Sequence, residues 1–199
     1  MGWLYRHDPV DDPLAYLTSK YNYDRDTNTL QTLAGARVGN TVYLAVKSTD
    51  KTSGASYVFA AVILISNTKK YGFGFKDMDE SMGPCECACP ERVMRLLTPI
   101  ADLPNPGYAA EWRARVAARK TEKRQRRELR QSLRVGSVVT MPTPIRFPGG
   151  SEASKFIVTR FRRKTPIFLS LDGPEFTCRL TAATLAAATI EPPQNSNPN

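Results

Sequence analysis

Three carboxylates fall within four residues, Asp77, Asp79 and Glu80, directly after Lys76 and a glycine-bearing run, Tyr71 to Phe75. Alternate carboxylates beside a lysine are a pattern that can hold Mg²⁺ and position a phosphate. In an extended segment Asp77 and Asp79 point the same way, so they could converge on one ion. The same residues have a structural use, in which Asp77 or Asp79 caps the turn into Gly83-Pro84 and Lys76 pairs at the surface. Like charges this close repel one another unless a cation or Lys76 offsets them. The structural use is the one expected. On the other, Asp77, Asp79, Glu80 and Lys76 are the catalytic groups of a Mg²⁺-dependent enzyme acting on phosphodiester or nucleotide substrates.

The thiols offer less. Cys85, Cys87 and Cys89 form a Cys-x-Cys-x-Cys run, and Cys178 stands alone. Zinc is normally held by well-spaced pairs such as Cys-x₂-Cys, and thiols two apart chelate poorly along a strand. No metal site is therefore expected, and Cys89 before Pro90 reads as a small buried apolar residue. With one histidine in the chain, His7, a Cys–His pair, a Ser-His-Asp triad or a histidine-bound metal has little to build on. No Walker loop, dinucleotide fingerprint, HExxH or GxSxG is present, and Gly72-Phe73-Gly74 is a lone Gly-x-Gly on a strand. No cofactor is expected.

Positive charge is the strongest signal. The net charge of +9 is unevenly placed: −1 over residues 1–110, +7 over 111–134 and +3 over 135–199. Residues 108–133 have helical composition, with Arg115, Arg119, Lys120, Lys123, Arg124, Arg126, Arg127 and Arg130 along the helix as candidate binding residues, and positive charge surrounds its distal half. Apolar positions after Ala118 reduce to Leu129 and Leu133, too few for a buried stripe. A helix polar all round either bridges domains in solvent or meets a charged partner. Nucleic acid fits, because each phosphate neutralised releases a counterion. An acidic host protein is a competing target, and a membrane surface is disfavoured for want of an apolar face. Farther on, Arg160, Arg162, Arg163 and Lys164 enclose Phe161, a mixture that can track phosphates and stack bases.

The elements that must position these residues divide the chain. Residues 1–98 read as an antiparallel meander with short helices, 99–133 as a proline-rich linker and the basic helix, 134–191 as a small SH3-like β-barrel, and 192–199 as a disordered tail. The fold class is thus α+β. Asp12 and Pro13 open a short helix. Gly39-Asn40 is a two-residue hairpin turn between Leu33–Val38 and Thr41–Lys47, the second of which alternates as a half-buried strand should. Tyr57–Ile65 is a nearly continuous apolar run, read as a central strand. No apolar run reaches the roughly 18 residues of a membrane span. The charged start from Met1 to Pro13 lacks the apolar region of a signal peptide, so a cytoplasmic protein with free thiols is expected.

The string Gly74-Phe75-Lys76-Asp77-Met78-Asp79-Glu80-Ser81-Met82-Gly83-Pro84, followed by Cys89-Pro90 and Leu96-Leu97-Thr98-Pro99, resembles the signature of an uncharacterised domain family of bacterial plasmids, integrative elements and phages. Gly2-Trp3-Leu4, Trp112-Arg113 and Leu133-Arg134-Val135-Gly136 are similar to it as well. The resemblance brings no known activity. It implies an accessory role in a mobile element, in the setting of counter-defence. Members carry tyrosine or acidic residues where Cys85 and Cys87 stand, which speaks against a metal site on those thiols. The combined expectation is a nucleic-acid-binding accessory protein, with the Mg²⁺-dependent enzyme and an inhibitor of a host defence protein as alternatives.

Overall fold

A computed structural model describes residues 2–6, 8–68 and 71–193. His7, the second half of the turn read at Asn67–Lys70, and residues 194–199 of the tail read as disordered lie outside the described residues. The chain divides into two compact units, residues 1–120 and 121–199. Each is built on one antiparallel sheet, and helices are few.

The first unit opens with β1 (Leu4–Arg6) and α1 (Pro13–Lys20). The Asp12 carboxylate accepts the N–H groups of Leu14 and Ala15 at 2.9 and 3.1 Å, and Pro13 fills the first helical position. Strands β2 (Tyr23–Asp24), β3 (Asn28–Val38), β4 (Thr41–Asp50), β5 (Ser56–Thr68) and β6 (Gly72–Asp79) follow, then the short helix α2 (Glu91–Met94). The sheet order is β1-β6-β5-β4-β3-β2, so consecutive hairpins form a meander and β1 closes onto its far edge. Val38 pairs with Thr41 across Gly39-Asn40, and Gly39 takes a φ of 59° there.

Both faces of this sheet are covered. Val42, Leu44, Val46, Ala61, Ile63 and Ile65 pack with Leu17 of α1. On the reverse face Tyr43, Ala45, Ala60 and Val62 pack with Cys87, Cys89, Val93, Trp112 and Val116. The alternation in β4 predicts a half-buried strand. Instead every residue from Thr41 to Val46 is buried, because the segment carrying the thiols and the first turns of the long helix cover the second face. Gly74 of β6 has a partner too. Tyr5 of β1 stands opposite Gly74, and a Cβ on Gly74 would lie 2.6 Å from the Tyr5 ring. The bare face is the seat of that ring.

The long helix α3 (Ala109–Ser132) begins in the first unit and continues into the second. In the second unit β7 (Val138–Arg146), β8 (Glu152–Arg162), β9 (Thr165–Ser170), β10 (Thr177–Cys178), α4 (Ala182–Leu185) and β11 (Thr189–Glu191) follow. The sheet order β10-β9-β8-β7-β11 leaves β10 and β11 as edges. Its core holds Leu133, Val139, Phe156, Val158, Phe168 and Leu185. Among the described residues no helix is long and apolar enough to cross a membrane.

Candidate functional site

The acidic string lies at the end of β6, where its three carboxylates part company. Asp77 and Asp79 pair across the ladder with Ile63 and Ala61, which puts both on one face. Asp77 accepts the Tyr21 hydroxyl at 2.9 Å. That contact and burial raise the tyrosine's pKa, with burial the larger cause. Asp79 accepts the Ser81 N–H at 2.8 Å and the Ser81 hydroxyl, capping the 3-10 turn Glu80–Met82. Glu80 is 1% exposed and points elsewhere. Its carboxylate receives Arg113 through Nε at 2.6 Å and Nη2 at 2.7 Å, and it also accepts the Ala60 N–H at 3.2 Å. Ala60 is the residue next to Ala61, whose pairing with Asp79 ends the β5–β6 ladder, so Glu80 serves a backbone N–H that β6 does not reach.

The first turns of α3 return to this string. Arg113 Nη1 donates to the Thr98 carbonyl at 2.7 Å, and the Trp112 indole N–H donates to the Glu86 carbonyl at 2.9 Å. Arg115 donates to the carbonyls of Gly83 and Pro84 at 3.1 and 2.9 Å. Gly107 lies so close that a Cβ there would stand 2.5 Å from the Ser81 carbonyl oxygen. Lys76 to Pro90 is thereby tied to the sheet on one side and to α3 on the other. The arrangement spends each carboxylate on a proton donor of the protein. Among the described residues no group of three or more His, Cys, Asp or Glu side chains could hold a metal ion.

Cys85 is exposed, whereas Cys87 and Cys89 are buried in the core under Trp112. Burial, with the Glu80 charge adding to it, pushes the Cys89 thiol up to about 12, so it is protonated at neutral pH and is no nucleophile.

The capping role of Asp79 has a measurable consequence. Asp79→Ala should lower the stability of the first unit by about 0.5–2 kcal/mol, the usual cost of removing a cap. Urea unfolding followed by tryptophan fluorescence reads that unit alone, because both tryptophans, Trp3 and Trp112, belong to it. A midpoint unchanged or raised would instead mark a carboxylate kept under like-charge strain, as a catalytic ion site requires.

The cations of α3 sort into groups. Arg115 is committed to the carbonyls of Gly83 and Pro84. Lys120 pairs with Glu91, Arg126 with Glu122, and Arg124 more loosely with Glu128 at 3.8 Å. Arg119, Lys123, Arg127 and Arg130 have no carboxylate partner among the described residues, and all four are exposed. Within the second unit Lys123, Arg127 and Arg130 stand at i, i+4 and i+7, on one face of the helix, and Arg119 falls one turn earlier at the same phase. From Ala117 to Glu128 every side chain is exposed.

In the second unit Arg160 and Arg162 belong to β8, and Arg163-Lys164 form its turn into β9, with Arg163 at a φ of 56°. The register slips at Thr159, an extra residue between the pairs Val158↔Phe168 and Arg160↔Ile167. A bulge reverses the alternation of faces. Without it Arg160 would share the core face of Val158; with it Arg160 and Arg162 turn to the outer face beside Ile167. Arg179, directly after β10, lines the same open cleft as Arg160, Arg162 and Phe161. Nothing in the sequence singles out Arg179, a lone cation in an unremarkable stretch that strand pairing alone brings to the others.

A family model described as a domain of unknown function (DUF6927) matches residues 104–183. That is less than half of the 199-residue chain. The DUF6927 match takes in α3 with Trp112-Arg113, Leu133-Arg134-Val135-Gly136, and strands β7 to β10, so similarity to an uncharacterised domain family holds over this part. The Gly74–Pro84 string lies outside it. No curated protein and no solved structure gave a match.

Proposed function

We propose that this chain is a nucleic-acid-binding accessory protein that engages the phosphate backbone through the exposed cationic face of α3. The observation that carries the reading is the row Lys123, Arg127 and Arg130, exposed on one helix face with no carboxylate partner among the described residues. A structural salt-bridge helix would pair its charges; this face leaves them for a polyanion. The uncommitted arginines of the β8–β9 hairpin add to the same unit's positive field. In line with the resemblance carried by the Gly74–Pro84 string, its service is to a bacterial mobile element, in the setting of counter-defence; in line with the sequence reading, it works in the cytoplasm and its second unit is an SH3-like barrel.

The acidic string is not the working part of this proposal. Its carboxylates have protein donors, which supports a structural use over the Mg²⁺-dependent enzyme.

A pull-down with the tagged chain tests the proposal. Nucleic acid should be recovered from untreated lysate, and most of the accompanying protein should vanish after nuclease treatment. A discrete protein retained equally with and without nuclease would replace nucleic acid by an acidic protein partner.

A further inference from the structure

The second unit carries an open cleft of about 710 Å³ along β8, β9 and β10. Arg160, Arg162 and Arg179 line it, and no acidic side chain does. None of the three has a carboxylate partner among the described residues. The strand register sets them on one face. Arg160 pairs with Ile167 and Arg162 with Thr165. Thr177 pairs with Leu169 and Cys178 with Phe168, so Arg179, one residue farther along, comes beside Ile167. Phe161 pairs with Pro166 and turns its ring to the opposite face, that of Phe168. The chemistry of the cleft is charge, not stacking.

Ile167 accounts for the placing of two of these arginines. It lies on the outer face, outside the core cluster of its unit, yet is only 8% exposed. Its neighbours on the two flanking strands are Arg160 and Arg179, and arginine stems can cover apolar surface while the charged heads stay in water. The backbones that carry them are two strand spacings apart, roughly 10 Å. Three guanidinium groups around one opening repel one another, and the cleft holds no carboxylate to offset them. An anion from outside does. Guanidinium forks match phosphate oxygens two donors at a time. A duplex carries one charge per roughly 1.7 Å of axis, so a row this wide meets several phosphates at any register. Contacts to phosphate carry no sequence information.

We infer that the cleft over Ile167 is a second phosphate-backbone contact of the chain, with Arg160, Arg162 and Arg179 donating guanidinium forks to backbone phosphates. This rests on the nucleic-acid reading and adds to it a place of contact separate from α3, a further binding residue in Arg179, and indifference to base sequence at that place.

The test is fluorescence anisotropy of the full chain with two labelled DNA duplexes of unrelated sequence, each titrated over a range of salt concentrations. Arg160→Gln with Arg179→Gln should make the slope of log K against log salt shallower by up to about 1.8, close to 0.9 for each phosphate released. Arg179→Gln alone should give about half of that, and both duplexes should respond alike. Both arginines are exposed, and a melting curve like that of the unmodified chain confirms that the unit stays folded. Arg37→Gln with Arg95→Gln removes two exposed charges from the first unit and should leave the slope unchanged. An unchanged slope in both cleft variants would overturn the inference while binding through α3 stood. An equal change in the Arg37 and Arg95 control would overturn it too, by tracing the effect to net charge, and a loss confined to one duplex would overturn the backbone assignment. Failure of the unmodified chain to bind either duplex would overturn the nucleic-acid reading itself, and this contact with it.

Discussion

Arg113→Ala is expected to cost the first unit about 3–5 kcal/mol, the effect of leaving a buried charge without its counter-ion. The reason lies in what Glu80 would face. Its carboxylate is 1% exposed and receives two guanidinium N–H groups and one backbone N–H. Removing Arg113 also orphans the Thr98 carbonyl, which it serves at 2.7 Å. The exposed ion pairs of α3 are a useful contrast, since each contributes a fraction of a kcal/mol at most. Replacing both partners, Glu80→Met with Arg113→Met, should recover part of the deficit. An apolar pair removes the buried charge, yet the Ala60 N–H and the Thr98 carbonyl still lack partners. Urea midpoints by tryptophan fluorescence give the measurement. A loss under about 1 kcal/mol for Arg113→Ala would mean that water reaches Glu80 and that the tie between β6 and α3 carries little.

Some of this architecture was legible residue by residue, and the division follows range along the chain. Asp12-Pro13 and Gly39-Asn40 act on backbone within three residues, so their cap and turn can be read directly. The continuous apolar run in β5 reports a strand covered on both faces. Strand β1 is different: Leu4–Arg6 is three residues long, and its place is set by the gap that Gly74 leaves for Tyr5, some seventy residues on. Glu80 reads as one of three equivalent carboxylates. Only the fold shows that it turns away from Asp77 and Asp79 to meet Arg113. Likewise the sign of each charge on α3 is plain in the sequence, but which cations are already paired is not. Lys120 finds Glu91 and Arg115 finds two carbonyls across distances that helical periodicity does not encode. The outward turn of Arg160 and Arg162 depends on one extra residue at Thr159, for which the sequence carries no turn signal.

The exposed cationic face of α3 bears the main proposal, and its replacement should have the largest effect on binding. Lys123, Arg127 and Arg130 changed together to Gln keep helix-forming side chains and remove three charges that touch no carboxylate. Stability should move by less than about 0.5 kcal/mol, as is usual for surface positions. Arg124 and Arg126, already paired with Glu128 and Glu122, serve as the matched control, and their change to Gln should weaken binding less. The most direct measurement is the dependence of duplex affinity on salt, plotted as log K against log salt concentration for the wild type and for the Lys123, Arg127 and Arg130 variant. The expected result is a steep negative slope for the wild type that becomes shallower by up to about 2.7 in the variant, close to 0.9 for each phosphate that the helix no longer neutralises. Equal slopes and equal affinities for the two proteins would contradict the assignment of this face to nucleic acid.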